Sequence, residues 1–236
     1  MNASGTKPRI AIVTFPGSND DRDAAHALES LGAEAVPVWH GDVELPDAGA
    51  VVLPGGFSYG DYLRAGALAR FAPVMEDVRA FAEGGGLVLG ICNGFQVLCE
   101  AGLLPGVLRP NRSLSFVCRD VELEVERPDT PFTSRCAPGQ TLTIPVKHGE
   151  GCFFADEALL AELEAAGQVA LRYVGENPNG SVARIAGIVN ANGNVFGLMP
   201  HPEHAVDELV GSTDGALILG SLVDAVAERR TVAATV

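Results

Sequence analysis

Cys92 stands where an apolar run, Leu87 to Ile91, stops and a helical pattern, Phe95 to Glu100, begins, with Asn93-Gly94 between them. Gly90-Ile91-Cys92-Asn93-Gly94 has the form of the G-x-S-x-G nucleophile elbow with a thiol in the hydroxyl's place. In that motif the nucleophile sits on a strained strand-to-helix turn, and flanking glycines allow close backbone approach. The helix behind it turns its free amides and positive dipole end toward the sulfur, which favours the thiolate. A buried structural cysteine at a strand end would satisfy the same five residues. Its partners must therefore decide.

A cysteine nucleophile needs a base and a group that orients the base. Of the five histidines, His26 falls in a helical pattern and His40 after a strand, positions that suit surface residues. His201 is placed differently. Gly197-Leu198-Met199 ends a strand, and Pro200-His201-Pro202-Glu203-His204 follows at once. In a parallel sheet the site lies outside the carboxyl ends of the strands, where Cys92 also falls. Two prolines restrict the His201 backbone, and Glu203 is near enough in sequence to accept a hydrogen bond from the imidazole. Acyl chemistry also requires two N–H donors for the tetrahedral oxygen. Elbow geometry nominates the Asn93 N–H; the loop Pro54-Gly55-Gly56-Phe57 offers the second from Gly56, with Phe57 in reserve.

Two rivals fit less well. His201, Glu203 and His204, with His148, could bind a metal, but the prolines break the regular helix that H-E-x-x-H ligation uses, so no metal is expected. The glycine-rich loops match neither G-x-x-x-x-G-K-[ST] nor G-x-G-x-x-G, so any ATP would be held by another polypeptide.

The elements that must position these residues alternate in type. Strands are predicted at Arg9–Phe15, Ala35–Trp39, Ala50–Leu53 and Leu87–Ile91, with helices at Asp20–Leu31 and Phe71–Glu83. Such alternation means βαβ units, a parallel sheet and right-handed crossovers. From Phe116 onward the texture changes. Val121–Glu126 alternates with period two, as a half-exposed strand does, and Thr141–Val146 is similar. A helix at Ala155–Ala166 and strands at Val169–Val174, Ala183–Val189 and Val195–Leu198 follow, the last two joined by a hairpin turn at Asn192-Gly193. A helix at Asp214–Arg229 closes the chain. One mixed α/β domain accounts for residues 1–236, with residues 1–8 as a flexible N-terminus.

Composition bounds the class. With 16 Lys and Arg against 30 Asp and Glu, the 236-residue chain carries a net charge of −14, which argues against nucleic acid or an anionic membrane as partner. The five cysteines, Cys92, Cys99, Cys118, Cys136 and Cys152, are odd in number and form no C-x-x-C pair. That pattern fits a reducing compartment. No apolar signal core opens the sequence and no run is long and apolar enough to span a bilayer, so a soluble cytoplasmic protein is expected.

With these residues placed, the sequence resembles the class I (triad) glutamine amidotransferases and is most similar to the glutaminase subunits of phosphoribosylformylglycinamidine synthase. The shared stretches are Thr14–Asn19, Leu53–Arg64, Gly90–Leu98, His148–Gly151, Asn177–Ser181 and Gly197–Glu203. The cysteine elbow and His201-Pro202-Glu203 belong to the wider class; Gly55-Gly56-Phe57-Ser58-Tyr59-Gly60-Asp61 and Asn177-Pro178-Asn179-Gly180-Ser181 are more specific. The resemblance implies a three-layer α/β fold of flavodoxin-like type, its mixed, mostly parallel sheet flanked by helices. It implies that Cys92 attacks the side-chain amide of L-glutamine, with His201 as base and Glu203 as its orienter, and that Gln96 helps hold the substrate. Ammonia would pass to a large synthetase subunit that binds ATP and Mg, with a small third subunit bridging the complex; this chain would bind no cofactor itself.

Three positions depart from the family pattern. Asp20 stands where Cys is frequent, a change expected to leave the chemistry untouched; Ser115 and His204 each stand where Arg is common. Two alternatives share the same residues: a stand-alone cysteine hydrolase or peptidase, and a non-catalytic regulatory subunit. The intact Cys92, His201 and Glu203 set disfavours the latter.

Overall fold

The computed structural model describes residues 7–233. Of the N-terminus expected to be flexible, residues 1–6 lie outside the described residues, whereas Lys7 and Pro8 are tied down. The Lys7 carbonyl accepts from Arg230 at 2.8 Å and the Pro8 carbonyl from the Glu34 N–H at 2.8 Å.

The apolar runs form the strands. β1 (Arg9–Thr14), β3 (Ala50–Leu53), β4 (Leu87–Ile91), β10 (Ile185–Val189) and β11 (Val195–Leu198) are buried almost throughout, because both faces of the sheet are covered. With β2 (Glu34–Trp39), β6 (Val117–Val125), β7 (Thr141–His148) and β9 (Val169–Tyr173) they make one nine-stranded sheet in the order β2-β1-β3-β4-β11-β10-β9-β6-β7. Pairing is parallel from β2 through β11 and antiparallel from β11 to β7. This is the mixed sheet expected. The change of direction follows from connection length: Asn190–Asn194 is short enough only for a hairpin.

Helices α1 (Asp21–Ser30), α2 (Val74–Glu83), α3 (Asn93–Glu100), α4 (Glu157–Ala165) and α5 (Gly215–Ala233) cover the sheet. The β1-α1-β2 crossover runs one way along the sheet and β3-α2-β4 the other, so right-handed crossings place α1 and α2 on opposite faces. α1 packs against α5, while α2 and α3 share the one-turn 3-10 helix Ala69–Phe71. That short turn is why α2 begins at Val74 and not at Phe71: Pro73 bars its predecessor from the helical region. β6 alternates buried and exposed residues from Val121 to Val125 and β7 alternates buried with less buried residues throughout, as their period-two sequence requires, but the strands extend beyond the predicted ends to Val117 and His148. Two three-residue strands, β5 (Val107–Arg109) and β8 (Cys152–Phe154), pair separately and are too short for periodicity to reveal.

Register positions the site. Leu53 pairs with Gly90, and Ile91 with Leu198, so the loops leaving β3, β4 and β11 emerge side by side. α3 lies so close to β3 that a Cβ on Gly94 would meet the Leu53 carbonyl oxygen at 1.9 Å. Replacing Gly94 by Ala is expected to lower unfolding free energy by about 2 kcal/mol through overpacking, read from the midpoint of urea unfolding; unchanged stability would mean that α3 can retreat from the sheet.

Candidate active site

Cys92 adopts φ 50°, ψ −103°, a left-handed conformation that costs a non-glycine residue energy at the corner between β4 and α3. Its N–H donates to the Leu198 carbonyl at 2.8 Å, which ties the corner to β11. The thiol is buried, with Sγ 3.8 Å from the Lys147 carbonyl oxygen.

His201 follows β11 and is held by its own N–H, which donates to the Pro145 carbonyl of β7 at 2.8 Å. Its Nδ1 lies 2.6 Å from Glu203 Oε1, so Nδ1–H donates to the carboxylate and Nε2 is left for Cys92. Nε2 makes no hydrogen bond to any described residue, yet it is near enough for the sulfur to act on it. Burial alone would make this imidazole shed its proton. The Glu203 carboxylate and the Cys92 sulfur outweigh burial, and the His201 pKa rises well above its ordinary value. The arrangement therefore favours a protonated His201 imidazole.

The oxyanion donors expected on Gly56 and Asn93 flank this pair. Asn93 opens α3, where an N–H has no intrahelical acceptor. No acceptor among the described residues takes the Gly56 N–H, and Gly56 sits at φ 146° against the β1–α1 loop, where a Cβ would meet the Gly17 oxygen at 2.5 Å. Phe57 is ruled out as the reserve donor because its N–H donates to Gly17 O at 2.8 Å. The Asn93 side chain secures the same loop by accepting from Ser58 N at 3.0 Å.

Gln96, expected to hold substrate, lines the cavity but engages both ends of its amide: Oε1 accepts from Asn93 Nδ2 at 2.8 Å and Nε2 donates to the Glu150 carbonyl at 2.7 Å. It braces the wall that Lys147–Gly151 forms. That wall is also held from behind. Burial, aided by the charge on His201, pushes His148 down to about 4, so it is a neutral hydrogen-bonding group, paired with Asn111 Oδ1 at 3.1 Å. Asn179, in turn, donates to Tyr173 Oη at 3.1 Å, and its Oδ1 accepts from Ser181 N at 3.0 Å. The Asn177–Ser181 and His148–Gly151 motifs thus meet in one buried network. The backbone carbonyl of Ser115 is held by Asn111 Nδ2 at 2.9 Å, while its hydroxyl stays within its own turn.

The cavity in front of Cys92 measures about 370 Å³ and includes two carboxylates that lie in the shared motifs without a role assigned from sequence, Asp61 and Glu150. Burial raises the Asp61 carboxyl to about 6, and the Glu150 charge pushes the same way against the Asn93 hydrogen bond.

Asp20, expected to leave the chemistry untouched, also lies at the site. Its Oδ2 is 3.6 Å from His201 Nδ1, while Oδ1 meets Lys147 Nζ and lies 3.3 Å from His204 Nε2. Nothing in the sequence marks Lys147 as its partner, because 127 residues separate them. Asp20, His201, Glu203 and His204 bring ligand-type atoms within 4.8 Å of one another. The Lys147 ammonium already occupies the Asp20 oxygen, and His201 Nδ1 is committed to Glu203. The cluster is an ion-pair network closed by its own charges. His26 is exposed on α1 as expected, whereas His40 is half-buried, its Nδ1 2.6 Å from Tyr59 Oη.

Comparison with known proteins accords with this geometry. The phosphoribosylformylglycinamidine synthase subunit PurQ of Rubrobacter xylanophilus is 62% identical over 215 residues, covering 91% of this chain and 97% of that one. The protein of the same name from Salinibacter ruber is 58% identical over 225 residues, 92% of this chain and 96% of its own. Among solved structures, a chain of PurLQS from Thermotoga maritima superposes with a TM-score of 0.85 at 48% identity, covering 93% of this chain and 99% of that chain. A glutamine amidotransferase from the same organism gives 0.60 at 16% identity, over 95% and 100%, and speaks to the fold alone. A profile of the CobB/CobQ-like glutamine amidotransferase domain matches residues 7–215. The chain belongs to the CobB/CobQ-like glutamine amidotransferase domain family and, within it, to the phosphoribosylformylglycinamidine synthase subunit PurQ family.

Proposed function

We propose that this chain is the glutaminase subunit of phosphoribosylformylglycinamidine synthase, hydrolysing L-glutamine to glutamate and ammonia. The ammonia passes to a large synthetase subunit, which uses ATP and Mg to convert formylglycinamide ribonucleotide to the amidine, with a small subunit bridging the two. The observation that carries this reading is the convergence of Cys92, His201 and Gly56 on one cavity, with Glu203 holding His201 Nδ1 from behind and Asn93 following Cys92 at the start of α3.

The Cys92 thiolate attacks the carboxamide carbon, and the oxygen takes up negative charge against Gly56 N–H and Asn93 N–H. Collapse of this intermediate breaks the C–N bond as His201 Nε2 delivers its proton to the leaving amine. Ammonia departs and a γ-glutamyl thioester remains. The now neutral His201 takes a proton from water, the hydroxyl adds to the thioester carbon, and the C–S bond breaks to release glutamate and restore the thiolate. Glu203 keeps Nδ1 protonated throughout, so that Nε2 is the atom that exchanges the proton. Asp61 and Glu150 supply the negative end of the cavity, suited to the α-ammonium of an amino-acid substrate, and Gln96 keeps the Glu150 backbone in place.

No cofactor or metal is assigned to this chain; the cavity holds the groups that amide hydrolysis needs, and ATP belongs to the synthetase subunit. Among the described residues no helix is long and apolar enough to cross a membrane, and the five described cysteines are unpaired, which supports the cytoplasm as the place of action. Residues 1–236 act as one amidotransferase domain.

Ammonia release from glutamine tests the reading directly. Cys92→Ala should abolish it, and the wild-type chain should release ammonia slowly alone and faster with its two partner subunits; unchanged release by Cys92→Ala would sink the mechanism. Glu203→Gln removes the charge that holds the imidazolium, and kcat should fall by about 10²- to 10⁴-fold. Asp61→Asn should raise the glutamine KM by about tenfold with little change in kcat, as expected for lost charged binding. Because Asp61 takes up a proton as pH falls through about 6, the wild-type KM should climb over the same range and that of the Asn variant should not.

A further inference from the structure

Asp20 occupies the N-cap position of α1, where an aspartate ordinarily accepts a hydrogen bond from the first turn. Here it makes none. Its side chain turns instead into the protein, where it is 4% exposed, and reaches the Cys92–His201 centre. One oxygen is anchored, since Lys147 Nζ and His204 Nε2 both meet Oδ1. That anchoring leaves Oδ2 aimed at His201 Nδ1, 3.6 Å away on the edge of the ring that Glu203 already holds. The distance is too long for a second strong hydrogen bond and short enough for charge attraction across a dry site. Gly55 makes the approach possible, because a Cβ there would lie 2.3 Å from Asp20 Oδ2 and 2.7 Å from His201 Cε1.

We propose that Asp20 is a second positioning carboxylate for the His201 imidazole, fixed in place by Lys147 and His204 and acting beside Glu203 to favour the thiolate–imidazolium state of the site. The inference rests on the mechanism assigned to Cys92 and His201 above. Lys147 links the two halves of the device: its side chain holds Asp20, and its carbonyl lies against the Cys92 thiol. Glu203 and the Cys92 sulfur remain the stronger influences on the imidazole, so Asp20 adjusts the ion pair and does not create it. Burial disfavours the Asp20 charge, but His204, His201 and Lys147 together hold its carboxyl far below the usual carboxylate range. It therefore stays ionised wherever the enzyme works. The charged and titratable groups around His201 are Glu203 and His204 on its own turn, Asp20 from the start of α1 with Asp23 reaching His204, Lys147 and His148 from β7, and Cys92 at the head of α3. Among these, Asp20 is the one carboxylate besides Glu203 placed against Nδ1.

The sign follows from the charge. Removing the Asp20 carboxylate withdraws stabilisation from the imidazolium, so the sulfur loses its proton at a higher pH. In the full-length chain, Asp20→Asn should move the pH midpoint of Cys92 alkylation by iodoacetamide upward by about half a unit to one unit. Its rate at pH 7 should fall by about three- to tenfold. With the partner subunits present, kcat should drop comparably and the glutamine KM should stay within about twofold. Asp20→Glu should recover part of the rate. Asp23→Asn, a lost charge 3.9 Å from His204 but remote from Nδ1, should leave the midpoint in place. If the Asn variant fails to fold, Asp20→Ser carries the same comparison. A midpoint coincident with wild type in the folded Asn or Ser variant, with any lost activity tracking a lower unfolding midpoint, would overturn the proposal and leave Asp20 as a loop tie. If Cys92→Ala still releases ammonia, the fault lies in the assigned mechanism, which the wild-type and Cys92→Ala pair detects independently of Asp20.

Discussion

A cysteine forced into the left-handed region at the end of a buried strand is an expensive thing to build, and the site depends on it. The φ of 50° at Cys92 turns the chain so that the thiol projects from the sheet while α3 starts immediately behind it. Strain of this kind costs about 1–3 kcal/mol and persists only where neighbours over-determine it. Here β11 grips the corner through Leu198, β3 lies flush against Gly94, and Asn93 reaches forward to Ser58. Because these contacts come from three adjacent parallel strands, Cys92, His201 and the Gly55–Phe57 loop inherit their spacing from sheet register.

Electrostatics supplies the second layer. The chain is acidic as a whole, and its centre gathers Asp20, Glu203, Asp61 and Glu150 around one sulfur. An unpaired buried carboxylate is costly. Glu203 is matched by the imidazole, Asp20 by an ammonium and a second histidine. Among the described residues Asp61 and Glu150 have no such cation beside them, and burial, with the Glu150 charge adding to it, raises the Asp61 carboxyl. The cavity is thus divided between an end whose charges are balanced within the protein and an acidic end formed by Asp61 and Glu150.

Much of this was legible in the sequence because the relevant signals are local. An apolar run that stops at Cys92, glycines two residues either side, and a proline-clamped histidine with a glutamate two residues on need no tertiary information to be noticed. Residues brought in from the antiparallel half are different. Lys147 and Glu150 lie at and beyond the end of β7, a strand whose period-two pattern announces a half-exposed hairpin and nothing of catalysis. Asp20 reads as the first residue of a predicted helix, and only the fold turns its side chain toward His201. The reserve donor Phe57 failed for a similar reason: its N–H is taken by a loop that sequence spacing does not place beside it.

In the strand order β7 is the last member of the sheet, four places beyond β11, yet Pro145 and Lys147 touch His201, Cys92 and Asp20. A twisted sheet has curled until its far edge lies over the parallel half. An outermost strand with free N–H and C=O groups is a template on which other chains can pair. On β7 part of that row is already taken. Thr143 N–H donates to Asp214 Oδ2 at 2.7 Å, Pro145 has no N–H and gives its carbonyl to His201, and the Lys147 carbonyl meets the thiol. The contacts that hold His201, Cys92 and Asp20 in place therefore also occupy part of the outer border of β7.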